Sequence, residues 1–302
     1  MASSHLLSTH DLSREDITSI LDDAAAILPS HASLRHVDPV LAGRNIVLAF
    51  LEPSTRTRLS FETAAQRLGA STIVFHATGS SVEKGETLRE SLRTIESMGF
   101  DALVLRHGQN GVHRDVAQWS SMSVINAGEG TVQHPTQALL DASTLREHFG
   151  ATDGRKVAIV GDLRHSRVAR STADVLQKCG AHIGYCAPDE LVPTDPQFAE
   201  MQRLDSIQDC CDWADAVYLL RIQRERLAAD VTINDAEYRS RYAMKVDLAR
   251  AHRELVVLHP GPVNIGMELD GEILDDPMCL IHRQVTHGVA VRMAVLQRLL
   301  HS

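Results

Sequence analysis

The chain has 302 residues, 44% of them hydrophobic and 23% charged. That length is about twice a usual domain of roughly 150 residues, and no low-complexity tract interrupts it, so two folded cores are expected and a disordered or fibrous chain is excluded. Thirty Lys and Arg against 39 Asp and Glu leave a net charge of −9 with only 4% aromatics, which argues against a basic, ring-lined groove for nucleic acid and, on bulk charge, discourages any anionic ligand.

Met1 to Leu7 lacks the basic start and apolar core of a secretory leader, and the longest apolar runs are strand-length. A cytoplasmic protein that spans no membrane is expected. In chain order, strands are predicted at Ile46–Leu51, Thr72–Phe75, Ala102–Leu105 and Ser123–Asn126, with an amphipathic helix over Leu88–Ile95. A helix covers His134–Phe149, and the turn-rich Gly150–Gly154 follows it. Strands resume at Val157–Val160, Ile183–Cys186, Ala216–Leu220 and Leu255–Leu258, and a last helix occupies Val285–Leu300. This alternation predicts an α/β protein of two doubly wound domains, each a parallel sheet flanked by helices. The expected division is 1–134, with 285–302 packing back on it, and 135–284. Five cysteines, without a CxxC pair, read as reduced packing residues. Sixteen scattered histidines offer no metal-ligand spacing, so neither a metal nor a cofactor is expected.

In such sheets ligands lie beyond the carboxyl ends of the strands, so the residues that follow each strand carry the chemistry. After the first strand comes Ser54-Thr55-Arg56-Thr57-Arg58, with Ser54 placed to cap a helix. Two arginines in a first turn oppose the helix dipole unless an anion such as phosphate sits there on backbone N–H groups, hydroxyls and a guanidinium. An ordinary capped helix with an Arg58–Glu62 pair is the other reading. Arg106, at the end of the third strand, is equally readable as a ligand contact or a surface arginine. His134 precedes Pro135, suited to a first helical position, and so lies at a helix start beside Gln137; a capping or packed histidine is its alternative. Lys84 falls in the polar loop His76–Gly85 and reads by itself as a solvated lysine. Gly161-Asp162-Leu163 lacks the further glycines of a dinucleotide site. Arg164, Arg167 and Arg170 make a cationic helix start there, and Arg221 with Gln223 follows the strand at 216, so donors for carboxylates gather at neighbouring strand ends.

The segments Ser54–Arg58 with Leu59-Ser-Phe-Glu62, Lys84–Thr87, Leu105–His107, His134–Gln137, Gly161–Leu163 with Ser166-Arg167, Arg221–Arg226 and His259–Pro262 resemble, in order, the aspartate and ornithine carbamoyltransferase family over nearly the whole chain. The resemblance implies that Ser54, Thr55, Arg56, Thr57, Arg106, His134 and Gln137 bind carbamoyl phosphate, with Thr57, Arg106 and His134 polarising its carbonyl. It implies that Lys84, Arg167, Arg221 and Gln223 bind aspartate, and that the backbone carbonyls of Gly261 and Pro262 receive its amino group. Arg56, Thr57, Lys84, Arg106 and His134 are the expected catalytic set. In the family a loop carrying a serine and a lysine enters the neighbouring subunit's site. That assigns the part to Ser81, by its spacing, or Ser80, with Lys84, and implies a homotrimer with shared sites.

An ornithine site needs acceptors for a cation and a His-Cys-Leu-Pro segment, whereas this chain has His259-Pro-Gly-Pro262 and extra arginines. The expected activity is therefore carbamoyl transfer to L-aspartate in pyrimidine synthesis. A catalytically silent relative, or a transferase for another amino acid such as ornithine, is the alternative. Ile265 stands where close relatives commonly carry arginine, which predicts altered loop stability or affinity before lost function. A regulatory chain or a dihydroorotase as further partner is left open by the sequence.

Overall fold

A computed structural model describes residues 4–28, 39–75, 85–227 and 232–301. The chain divides into two compact units, Met1–Ser143 with Val285–Ser302, and Thr144–Gln284.

The first unit is built on β1 (Asn45–Phe50), β2 (Ser71–Phe75), β3 (Ala102–His107) and β4 (Ser123–Glu129), all parallel, in the order β2-β1-β3-β4. Ile46 to Ala49 are buried, as both faces of a helix-covered parallel sheet require. β2 is an edge strand with no fully buried residue, and its Ile73 is 58% exposed. The helices are α1 (Arg14–Ile27), α2 (Thr55–Arg67), α3 (Leu88–Ser97), α4 (Val112–Ala117) and α5 (Pro135–Phe149). Thr87 and Glu90 form a reciprocal cap at the start of α3, which lays Leu92 and Ile95 against Val47, Leu103, Leu105 and Val124 of the sheet. The residues before α1 also join this sheet: Leu6 N–H donates to Val124 O at 2.9 Å and Asn126 N–H donates to Leu6 O at 2.8 Å.

The second unit holds β5 (Lys156–Val160), β6 (His182–Cys186), β7 (Gln202–Arg203), β8 (Ala216–Leu219) and β9 (Val256–Leu258), parallel in the order β7-β6-β5-β8-β9. Its helices are α6 (Arg167–Lys178), α7 (Pro196–Ala199), α8 (Ile207–Trp213), α9 (Asp235–Tyr242) and α10 (Val246–Ala251). α11 (Ile281–Leu300) starts ahead of the apolar stretch at Val285. The unit division falls inside α5 and inside α11, not at their ends.

Both sheets are doubly wound, and each has one point where the strand order reverses: between β1 and β3, and between β5 and β8. Loops leaving adjacent strands there diverge to opposite faces and open a crevice at the carboxyl ends. The strands predicted from sequence all form, within a few residues of their predicted ends. The two-residue β7 and the short α4, α7, α8 and α10 carry too few periodic positions to be recognised.

Candidate active site

In the first unit the reversal between β1 and β3 gathers the loop after β1 and the last residues of β3. Phe50 is in register with Arg106, and Leu51 N–H donates to Arg106 O at 2.9 Å. Ser54 takes the cap position of α2 in an extended conformation, yet its hydroxyl makes no capping bond. No acidic residue lies in the first turn. The N-terminal N–H groups of α2 therefore meet neither the usual hydroxyl nor a carboxylate, which suits an incoming anion. Arg58 lies 3.7 Å from Glu62, so the i,i+4 pair exists together with the anion-ready turn. Arg56 is exposed, no ion-pair partner is found for it among the described residues, and desolvation draws its guanidinium below the ordinary value. Thr55 is exposed and Thr57 is buried.

Thr57 Oγ1 stands 3.5 Å from His134 Nε2, which brings the start of α2 to the start of α5. His134 is buried, and its carbonyl accepts from Gln137 N–H at 3.0 Å and Ala138 N–H at 3.2 Å, the pattern of a residue heading a helix. Gln137 is buried one turn along, with its Nε2 donating to Asp141 Oδ1 at 2.9 Å. Arg106 reaches Ala127 O at 3.4 Å through Nη1, and its Nε lies 3.6 Å from Glu52 Oε2. Glu52 has no role assigned from the sequence alone. Its position directly after β1 and ahead of the basic turn is the signal that marks it, because cations that meet an anionic ligand need a counter-charge while the ligand is away.

A second network stands behind Arg106. His113 is fully buried and bonds Leu105 O at 2.7 Å, with its other nitrogen 3.7 Å from Glu129. Glu129 also accepts from Gly111 N–H at 2.5 Å and Asn126 Nδ2 at 3.1 Å. Burial pushes the Glu129 carboxyl up, but His113 and these donors outweigh it and hold the group below its ordinary value.

In the second unit the reversal between β5 and β8 brings the loop at Gly161 against the segment after β8. A Cβ on Gly161, whose φ is +119°, would stand 2.6 Å from Leu220 O, so only glycine permits this approach. Of the three arginines at the start of α6, Arg170 is bound by Asp195 at 2.7 Å and by the carbonyls of Leu163, Arg164 and Ser166. Arg164 is exposed and bonds Glu190 O at 3.2 Å. Arg167 is the buried one, at the first position of a helix capped by Ser166. Arg221 pairs with Glu225 one turn along, through both terminal nitrogens. Gln223 N–H donates to Asp162 Oδ2 at 3.0 Å and its Nε2 donates to His165 O at 2.9 Å, so Asp162 and His165 fix this segment, although the sequence reading gives neither of them a role.

Gly261 and Pro262 follow β9. The peptide between them is cis, and Gly261 N–H donates to His259 Nδ1 at 2.7 Å. Glu268 joins this turn to the Arg221 segment: its carboxyl accepts from Asn264 N–H at 2.6 Å, Asn264 Nδ2 at 3.0 Å and Ile222 N–H at 3.3 Å. Ile265 is 64% exposed. Ser80, Ser81 and Lys84 lie outside the described residues. All five cysteines are free thiols. Among the described residues no helix is long and apolar enough to cross a membrane, and no cluster of three His, Cys, Asp or Glu forms a metal cage.

The structure thus brings together Ser54, Thr55, Arg56, Thr57, Arg106, His134 and Gln137 in the first unit, and Arg167, Arg221 and Gln223 at one sheet reversal in the second. Residues 4–147 match the carbamoyl-phosphate-binding domain of the aspartate/ornithine carbamoyltransferases, and residues 153–299 match their aspartate/ornithine-binding domain. An aspartate carbamoyltransferase catalytic subunit of Acidothermus cellulolyticus is 49% identical over 98% of this chain and 92% of its own length. That of Thermobifida fusca is 46% identical over 98% and 95%. Among solved structures, aspartate transcarbamoylase from Trypanosoma cruzi in complex with carbamoyl phosphate superposes with a TM-score of 0.90 at 31% identity, covering 98% of this chain and 95% of that one. The catalytic subunit of the M. jannaschii enzyme gives 0.87 at 34% identity, covering 98% of each chain.

Proposed function

The chain belongs to the aspartate/ornithine carbamoyltransferase family, and from that premise we infer that it transfers the carbamoyl group of carbamoyl phosphate to the amino group of L-aspartate, giving N-carbamoyl-L-aspartate and phosphate. The product is a precursor for pyrimidine synthesis. The observation that carries the reading is the start of α2, open to an anion, with Thr57 3.5 Å from His134.

The phosphate lies on the N–H groups of α2 with the hydroxyls of Ser54, Thr55 and Thr57 and the guanidinium of Arg56. Arg106, Thr57 and His134 surround the carbonyl oxygen, and Gln137 meets the carbamoyl nitrogen. His134, at the start of α5, acts as a hydrogen-bonding group. Arg167, Arg221 and Gln223 hold the aspartate carboxylates, Lys84 joins them, and the carbonyls of Gly261 and Pro262 receive the amine. Glu225 holds Arg221 until a substrate carboxylate takes its place. The neutral amine attacks the carbamoyl carbon, a C–N bond forms, negative charge gathers on the carbonyl oxygen, and the C–O bond to phosphate breaks. The departing phosphate accepts the amine proton, so no side-chain base is required. Orientation of the two substrates supplies at most about 7–11 kcal/mol. Each donor to the oxyanion is worth about 2.7–4 kcal/mol by analogy with other oxyanion sites.

The family pattern of a serine and lysine donated by a neighbouring copy favours a homotrimer, with Ser81 and Lys84 crossing between subunits. The half-exposed edge strand β2 supports an association of copies. The test is incubation of the purified protein with carbamoyl phosphate and aspartate. Release of phosphate matched by carbamoyl aspartate is expected. Absence of turnover favours a silent relative, and turnover with ornithine but not aspartate overturns the substrate.

A further inference from the structure

Gln137 is held from behind by groups that the reaction as described leaves unused. Its Nε2 donates to Asp141 Oδ1 at 2.9 Å, one turn along α5, and Asp141 is fully buried. Asp141 acts on Arg292 of α11: burial pulls this guanidinium down to about 9, and the carboxylate opposes that fall. Arg292 is 3% exposed, donates from Nη1 to Gly288 O at 2.9 Å, and has its Cζ 5.0 Å from the centre of the Phe61 ring on α2. A Cβ at position 288 would stand 2.6 Å from Arg292 Nη1, so the glycine leaves the space in which the guanidinium folds back. Arg292 thus packs on α2 and acts through its charge on Asp141 of α5, the two helices whose starts form the first half of the site.

The chemistry of these groups dictates which way the Gln137 amide faces. Gln137 Nε2 lies 2.9 Å from a carboxyl oxygen of Asp141, and a carboxylate only accepts hydrogen bonds. The amide nitrogen of Gln137 is therefore committed to Asp141, and its carbonyl oxygen is left for the other side. We propose that Asp141, backed by Arg292, is a positioning residue that presents Gln137 Oε1 as an acceptor, so that the site selects a ligand with an NH2 beside its carbonyl and rejects one with a methyl group there. The proposal rests on the placement of carbamoyl phosphate at the start of α5. A methyl group in the NH2 position leaves a buried acceptor without its donor, which is the kind of mismatch that binding sites reject strongly.

The test uses two inert phosphonates of equal size, phosphonoacetamide and acetonylphosphonate, as competitors of carbamoyl phosphate. The unsubstituted enzyme should bind the amide more tightly than the ketone by about tenfold or more. In Asp141→Asn the new amide can donate to Gln137, the Gln137 amide can turn over, and the preference should fall to within about threefold of unity while the KM for aspartate changes little. If that variant fails to fold because Arg292 is left unpaired, Asp141→Asn with Arg292→Met removes both charges, and the same loss of preference is expected. An undiminished preference in the folded variant, or equal weakening of both phosphonates, overturns the positioning role. An unsubstituted enzyme that makes no carbamoyl aspartate, or binds neither phosphonate in competition with carbamoyl phosphate, overturns the proposed function itself.

Discussion

At Arg56 the sequence and the local structure point the same way. This arginine stands in a first turn that holds no acid, beside a serine whose hydroxyl makes no cap, so its charge has no local structural use. Arg56→Ala should lower kcat/KM for carbamoyl phosphate by about 10²–10³-fold, the loss seen when a charge-stabilising donor is removed. Thermal unfolding should be unchanged, because the side chain is exposed. Near-normal kinetics would refute its phosphate role. Glu268 makes the opposite case, a buried acid with a structural duty. Burial pushes its carboxyl up, and the bonds from Asn264 and Ile222 pull it back only in part. Glu268→Ala should raise the KM for aspartate several-fold, by loosening the Arg221 segment and the Gly261 turn, while the KM for carbamoyl phosphate stays near its original value. Equal changes in both constants would count against that link.

Among the elements, α1 offers a test of local stability. Ser13 and Asp16 form a reciprocal cap, and Asp16 Oδ1 also accepts from Arg298 of α11 at 2.9 Å. Ser13→Ala should cost about 0.5–2 kcal/mol in denaturant unfolding, the usual loss for a removed cap. The backbone and hydroxyl of Ser13 hold the Asp16 carboxyl below its ordinary value. A carboxyl lowered in the fold stabilises fully above its unfolded value, about 4, and loses that contribution as pH falls through the lower folded value. The difference in melting temperature between the unsubstituted protein and Asp16→Asn should accordingly be largest near neutrality and shrink toward pH 3. A difference independent of pH would remove the carboxylate from the account.

At the scale of the whole molecule, the net charge of −9 conceals local reversals of sign. Arg56 and Arg106 gather at one sheet reversal, and Arg167 and Arg221 at the other, which is where the proposed binding of anionic substrates requires them. If Lys84 serves a neighbouring copy, Arg56→Ala and Lys84→Ala should each be severely impaired alone but complement one another. Mixing them under conditions that exchange subunits should restore about a quarter of the original activity, the random share of sites that receive both native residues. Sedimentation should give a mass three times that of the chain. No recovery on mixing, with exchange verified, would sink the shared site.

The sequence by itself determined the α/β class, every strand except the two-residue β7, and the basic first turn at Ser54–Arg58, because each is written in neighbouring residues: apolar runs, helix caps, and charges that a helix dipole would reject. It also marked His134 and Gln137 through Pro135 at a helix start. What only the tertiary structure decided is how groups distant in the chain share their bonds. Glu52 stands near Arg106, Asp162 holds Gln223, and Asp141, which accepts from Gln137, acts on Arg292. In the sequence Arg164, Arg167 and Arg170 form one cationic group, whereas in the fold Asp195 and three carbonyls claim Arg170. Periodicity and capping act over a few residues, whereas the partner of a buried charge is chosen by which strands are neighbours in the sheet, and strand order is not a local property of the chain.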